Sequence, residues 1–233
     1  MGAPKQFHIR KMKQVSDAQL RVFVRAAQQT AQLGLVVASS GNLSWRIDGK
    51  RMLITATSVW KSTLTRAQIA VCRLADGVSL NGVKPSVETG FHSGVLRQRP
   101  DVSVVLHCQS PFATTLACSR RLDLTRFFIV PEIPFYIGPI AAVPYRDPGS
   151  AALAHSVIAA LRNHNLVILR NHGQVVVGRD FHETLQRAVF FEFACGIIVR
   201  CGQNLRPMSP KAVASLFRRR AALPLRTTPA PLT

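Results

Sequence analysis

Apolar and polar positions along this 233-residue chain follow two alternating periods. After Ser16, apolar residues return at Leu20, Val24, Ala27 and Ala31, the spacing of a helix with Ser16 as its cap and Gly34 as its stop. The run "NLSWRIDGKRMLIT" predicts a hairpin turning at Asp48-Gly49, and "IAVCRLADGVSLNGV" a second one turning at Asp76-Gly77. "SVETGFHSGVLRQRP" reads as a helix stopped by Pro100. "DVSVVLHCQ" is a buried strand, and Ser110-Pro111 then supplies an N-cap and a first-turn proline for a helix over "PFATTLACSRR". "FFIVPEIPFYIGPIAAVPY" reads as buried strands and turns, because four prolines and Glu132 make it a poor membrane span. A helix capped by Ser150 follows, then two apolar strands joined at Asn171-His172-Gly173, then a long helix capped by Asp180. Beyond about residue 206 the chain is rich in Pro and Arg without a period and reads as a tail.

Strands and helices alternate, but several strands pair as hairpins. That predicts a single mixed α/β domain whose sheet cannot be purely parallel. The pattern divides the chain into a basic segment at 1–13, one domain at 14–205 and a basic Pro/Arg-rich tail at 206–233.

Charge sharpens this division. The net charge is +19, and residues 1–13 together with those after Glu192 supply 11 of it, while all 11 acids lie between residues 14 and 192. Basic ends attract polyanions, so nonspecific nucleic-acid contact through the tails is expected. No helix-turn-helix, zinc-finger or aromatic RNP-like signature accompanies them. The five cysteines include no C-x-x-C and sit in apolar stretches, which predicts reduced, buried thiols and a cytoplasmic protein.

Five short stretches can carry chemistry. Gly41-Asn42 in "ASSGNLS" allows a tight turn with free N–H groups, which holds phosphate or simply turns the chain. Thr57 and Ser58 in "ITATS" end a strand with hydroxyls. In "KPSVETGFH", Glu88 lies in the first turn of a helix, as a dipole partner or as a general acid/base, and His92 one turn on reads as its packed or hydrogen-bonded partner. Strand period puts His107 and Gln109 on one face and Cys108 on the other. His172 at a hairpin tip gains meaning beside His107, because neutral imidazoles bind zinc and similar ions. Gln109 offers such an ion only a weak amide oxygen.

The order S-G-N-L-S, I-T-A-T-S, K-P-S-x-E-x-x-F-H, V-L-H-x-Q-S-P-F-A-T and N-H-G resembles the class II aldolase/adducin family, near its L-fuculose-phosphate aldolase branch, over residues 16–203. The resemblance implies a three-layer α/β/α fold with a largely antiparallel central sheet and a homotetramer with sites between subunits. It implies a divalent metal, most often zinc, and a phosphorylated sugar as substrate. Carried over by position, Gly41, Asn42, Thr57, Ser58 and Ser86 would cradle the substrate phosphate. Glu88 would be the acid/base, and His107 and His172 metal ligands, with Gln109 as a weak third.

The chain departs from that pattern where the family reads H-x-H, since here the stretch is His107-Cys108-Gln109. The neighbouring-subunit tyrosine of this aldolase branch aligns roughly with Phe127 or Phe128, and Tyr136 lies nearby. Two readings follow. One is a metal-dependent lyase that cleaves a carbon–carbon bond in a small phosphorylated ketose or sugar acid. The other is a non-catalytic scaffold, like the adducin head domain, with basic tails for binding.

Overall fold

The structure is a computed structural model, described for residues 15–222. The segment at 1–13 therefore lies outside the described residues. Helix α1 (Asp17–Gln32) leads into β1 (Asn42–Arg46), β2 (Arg51–Thr55) and β3 (Ile69–Arg73). After them come α2 (Thr89–Gln98), β4 (Val104–Cys108), α3 (Pro111–Ala117), β5 (Ile140–Val143) and α4 (Ala151–Ala160). The chain continues through β6 (Leu166–Leu169), β7 (Gly173–Gly178), α5 (Phe181–Cys201) and α6 (Pro210–Ala221). The seven strands form one sheet in the order β3-β2-β1-β4-β7-β6-β5, and every neighbouring pair is antiparallel except β5 with β6. This is the largely antiparallel α/β/α sandwich that the family resemblance implies.

Strand alternation divides the core in two. Leu43, Leu53, Leu106 and Val176 point to one face, where α1, α3 and α5 cover them with Phe23, Ala113, Phe181 and Phe191. Met52, Ile54, Val105, Val167 and Val175 point to the other, beneath Phe91 and Val95 of α2 and Leu153 and Val157 of α4. Burying a side chain such as the fully enclosed Phe23 is worth about 1.5–3 kcal/mol. His107 projects on the same face of β4 as Val105, toward α2.

Three caps form as the sequence predicts. The side chains of Ser16, Ser150 and Asp180 accept from the backbone N–H three residues on. The fourth does not. Ser110 makes no capping bond; the Glu192 carboxylate reaches across from α5 and accepts from Phe112 N at 2.8 Å, Ala113 N at 2.9 Å and Ser110 Oγ at 2.6 Å. A full negative charge at the positive end of a helix outcompetes a neutral hydroxyl.

Three other expectations are corrected. The second hairpin has no return strand: beyond the Asp76-Gly77 turn only an isolated Cys72–Ser79 bridge remains, with Asn81 Oδ1 accepting from Val71 N. The Pro-rich stretch forms helical turns, including a single wide turn over Ile133–Ile137, before its one strand. The segment read as a tail from residue 206 contains α6, which is capped by Ser209 and opened by Pro210. It buries Val213 and sets Phe217 edge-on against Phe128.

Candidate active site

The far ends of β1, β4 and β7 meet at one point. Asn42 of β1 pairs with His107 of β4, and His107 pairs with Val175 of β7. Two glycines permit this convergence. A Cβ at Gly41, whose φ is +69°, would stand 2.5 Å from the His107 carbonyl oxygen, and one at Gly173 would stand 2.5 Å from that of Cys108. Neither contact is tolerable for a larger residue. The backbone thus brings the His172 turn and the Gly41 loop against the end of β4.

Three buried side chains converge there. His107 Nε2 lies 3.5 Å from Glu88 Oε2, and His172 Nε2 lies 3.7 Å from Glu88 Oε1. The His107 and His172 rings meet edge to face, with centroids 4.7 Å apart. His107 Nδ1 donates to the Gln174 carbonyl at 3.0 Å, which orients the ring with Nε2 toward Glu88. Burial, helped by the neighbouring His107, pushes His172 down to about 4 against the pull of Glu88, so its ring is neutral near pH 7.

These residues fit a divalent ion. One ligand atom from each of Glu88, His107 and His172 lies within 4.8 Å of the others. Glu88 Oε1 is buried without a hydrogen-bond partner among the described residues. An unpaired buried carboxylate oxygen is costly unless a cation completes it.

Glu88 is the N-cap residue of α2, yet its side chain does not cap the helix. It turns toward β1, where Oε2 accepts from Asn42 Nδ2 at 2.8 Å. Asn42 Oδ1 accepts from His92 Nε2 at 2.5 Å, and His92 Nδ1 accepts from Ser44 Oγ at 2.7 Å. Complete burial pushes His92 well below its ordinary value, with His107 adding to the effect, so this ring too is neutral. Asn42, expected among the phosphate residues, therefore has both ends of its amide occupied, because the β1–β4 register sets it beside Glu88. His92 is the hydrogen-bonded partner expected from its place one turn after Glu88, although the bond passes through Asn42.

The remaining phosphate candidates do lie together. An isolated bridge joins Ala56 to Pro85, Ser86 N donates to Thr55 O, and Thr57 N donates to Lys84 O. This holds Thr57, Ser58 and Ser86 on adjoining loops. Ser58 adopts φ +58° and Ala38 φ +52°, left-handed conformations that cost free energy outside glycine. Lys61 was not singled out by its sequence context. It is 2% exposed, and its Nζ donates to Ser39 O at 2.7 Å and Val59 O at 3.2 Å, which ties the Gly41 loop to the Ser58 loop. Burial lowers its ammonium to about 8 against the pull of Glu88.

Gln109 follows the last residue of β4, and its Nε2 donates to His172 O at 2.9 Å. Phe127 is buried and stacks on Phe191, while Tyr136 is partly exposed and packs near Phe190. Of the cysteines, Cys72, Cys108 and Cys195 are buried, and burial raises each thiol. Cys118 and Cys201 are exposed, contrary to expectation, because both lie at the outer ends of helices.

Known proteins resemble this chain in sequence and fold. Residues 21–199 match the family model of the class II aldolase and adducin N-terminal domain. The chain is 29% identical over 206 residues to a 3-oxo-tetronate 4-phosphate decarboxylase of Haemophilus influenzae, covering 87% of this chain and 97% of that one. It is 31% identical over 189 residues to a 5-methylthioribulose-1-phosphate/5-deoxyribulose-1-phosphate aldolase of Rhodospirillum rubrum, covering 79% and 81%. The crystal structure of YgbL from Klebsiella pneumoniae superposes with a TM-score of 0.80 at 27% identity, over 87% of this chain and all of that one. A model match over most of the described fold, and a relative above 30% identity along most of its length, establish the relationship. The chain belongs to the class II aldolase and adducin N-terminal domain family.

Proposed function

We propose that this protein is a divalent-metal-dependent lyase that breaks a carbon–carbon bond in a small phosphorylated ketose or sugar acid, and that its reaction is decarboxylation of a phosphorylated 3-oxo sugar acid. The observation that carries this reading is the buried Glu88–His107–His172 cluster with its unpaired carboxylate oxygen. A scaffold kept only for binding has no need of an uncompensated polar site in its interior.

His107 and His172 would hold the ion through Nε2, and Glu88 through its carboxylate. Gln109 would add its amide oxygen as a weak donor, since its nitrogen is spent on His172. Two imidazoles and a carboxylate suit zinc. A metal in such a site supplies Lewis-acid stabilisation of the negative charge left on the substrate carbonyl oxygen when the bond breaks.

The chain's own residues account for the rest. Loss of CO2 from a 3-oxo acid leaves an electron pair that must be protonated at carbon, and Glu88 is the carboxyl placed to carry that proton. Retro-aldol cleavage instead needs a base for a substrate hydroxyl. The aldolase tyrosine that supplies this aligns roughly with Phe127 or Phe128, neither of which carries a hydroxyl, with Tyr136 nearby. That contrast, and a relative named as a decarboxylase along 97% of its length, favour decarboxylation. Gly41, Thr57, Ser58 and Ser86 would receive the phosphate through backbone N–H groups and hydroxyls, fixing the reacting carbons.

The assembly we propose is a homotetramer, supported by exposed apolar residues such as Trp60, Phe193 and Tyr145. The compartment we propose is the cytoplasm, supported by the buried thiols. Among the described residues no helix is long and apolar enough to cross a membrane.

The deciding experiment has two parts. Protein purified without chelator is analysed for bound metal, then assayed for CO2 release from 3-oxo-tetronate 4-phosphate and for cleavage of phosphorylated ketoses. Bound metal with CO2 release supports the reading, and Glu88→Gln should then cut turnover by roughly 10²–10⁴ while the fold persists. Absence of both metal and turnover would transfer the case to the scaffold.

A further inference from the structure

We infer that Asn42 and His92 are positioning residues for Glu88, linked in a neutral relay that ends at Ser44, and that the Asn42 side chain does not bind phosphate. This rests on the acid/base reading of Glu88. Four side chains are involved, none more than 7% exposed, and they are joined in one line: Ser44 Oγ to His92 Nδ1, His92 Nε2 to Asn42 Oδ1, Asn42 Nδ2 to Glu88 Oε2.

The polarity of the line is forced. A carboxylate only accepts, so Asn42 must present Nδ2 to Glu88 and Oδ1 to His92. His92 must then carry its proton on Nε2, and its Nδ1 lone pair must receive the Ser44 hydroxyl. Each of the three links thus pairs one donor with one acceptor, which is how a buried polar network fixes one geometry.

The relay has a chemical consequence. It ties down Oε2 and leaves Oε1 as the single free oxygen of Glu88, 3.7 Å from His172 Nε2. One carboxylate oxygen is thereby committed to structure and the other to the reaction. The spacing of Glu88 and His92, four residues apart on one side of α2, matches the two ends of a single amide. Aspartate at position 42 would set a second carboxylate against Glu88. Glutamine there would be one carbon too long.

The test combines kinetics, phosphate binding and spectroscopy on the full chain. Asn42→Ala and His92→Leu should each lower kcat by about 10–100-fold, the usual size of a supporting-residue loss, with metal content retained. The Kd for inorganic phosphate, read by calorimetry, should stay within about twofold in Asn42→Ala, because only uniform binding would change it. His92→Gln, which can still donate to Asn42, should recover most of the turnover lost in His92→Leu. Nitrogen NMR of the parent should show His92 as the Nε2–H tautomer with a slowly exchanging proton, and Asn42→Ala should abolish that slow exchange.

Two results overturn the inference. One is phosphate affinity lost in Asn42→Ala with kcat retained, which makes Asn42 a phosphate ligand. The other is an Nδ1–H tautomer at His92, which reverses the line and needs no turnover or altered variant to detect. Failure of the underlying reading looks different: full turnover in Glu88→Gln removes Glu88 from the chemistry, whereas a dead Glu88→Gln beside an active Asn42→Ala removes only the relay.

Discussion

Asn42 stands directly opposite His107 across the β1–β4 ladder. One register thus sets the residue that holds Glu88 beside a candidate metal ligand, and a slip of one position would turn both away from the site. Strand pairing, more than any loop, fixes the geometry of the centre.

The ligand set predicts an order of zinc affinities. Replacing the Gln109 amide oxygen by imidazole should tighten zinc binding, because zinc favours nitrogen over a neutral oxygen. Titration should rank Gln109→His tightest, the parent weaker and His107→Ala weakest. A Gln109→His protein that binds no better than the parent places position 109 outside the ion's reach.

Lys61 predicts a pH dependence of stability. Its folded value, about 8, lies below the ordinary 10.5. Below pH 8 both states hold the proton and the cost of burial is constant. Between about pH 8 and 10.5 the unfolded chain keeps a proton that the folded one has released, so the contribution to stability rises with pH. The rise is roughly 2–3 kcal/mol at about 1.4 kcal/mol per unit. Urea melts at pH 7.5 and 10 test this, in buffers about 2.5 units apart. The parent should gain stability relative to Lys61→Met across that interval, and parallel pH profiles would mean the ammonium is not held low.

Gly41 predicts a steric effect on the centre. Its φ of +69° and the 2.5 Å approach to the His107 carbonyl leave no room for a methyl. Gly41→Ala should lower stability by about 1–3 kcal/mol, the cost of a strained left-handed residue, and should weaken metal binding as β4 shifts. Gly49, whose added Cβ would meet nothing, is the control: Gly49→Ala should leave metal affinity unchanged.

The chain ends predict salt-sensitive binding. With 11 uncompensated charges between them, they should supply weak, sequence-independent affinity for nucleic acid that falls steeply with salt. Trimming must spare α6, which packs on Phe128, so the full chain is compared with residues 15–222, which lack five of these charges (Lys5, Arg10, Lys11, Lys13 and Arg226) and should bind more weakly with a shallower salt dependence. Equal affinity at every salt concentration would locate the binding on the folded body.

By itself the sequence determined what short-range physics controls. The alternation in "DVSVVLHCQ" placed His107 on the face opposite Cys108, and Ser16, Ser150 and Asp180 announced their helices, because period and capping act within a few residues. The signal for α6 was present too, since Ser209-Pro210 repeats the Ser110-Pro111 pattern, but the arginines around it masked the Val213 and Phe217 stripe. What only the tertiary structure decided were the partners of polar groups far apart in the chain. Asn42 meets Glu88 across 46 residues, and Glu192 takes over the Ser110 cap across 82. Lys61 is enclosed by two loops whose own sequences give no hint of it. A polar side chain carries no mark of which acceptor it will find. That choice is made when burial removes water and leaves each donor only the groups the sheet register has brought within reach.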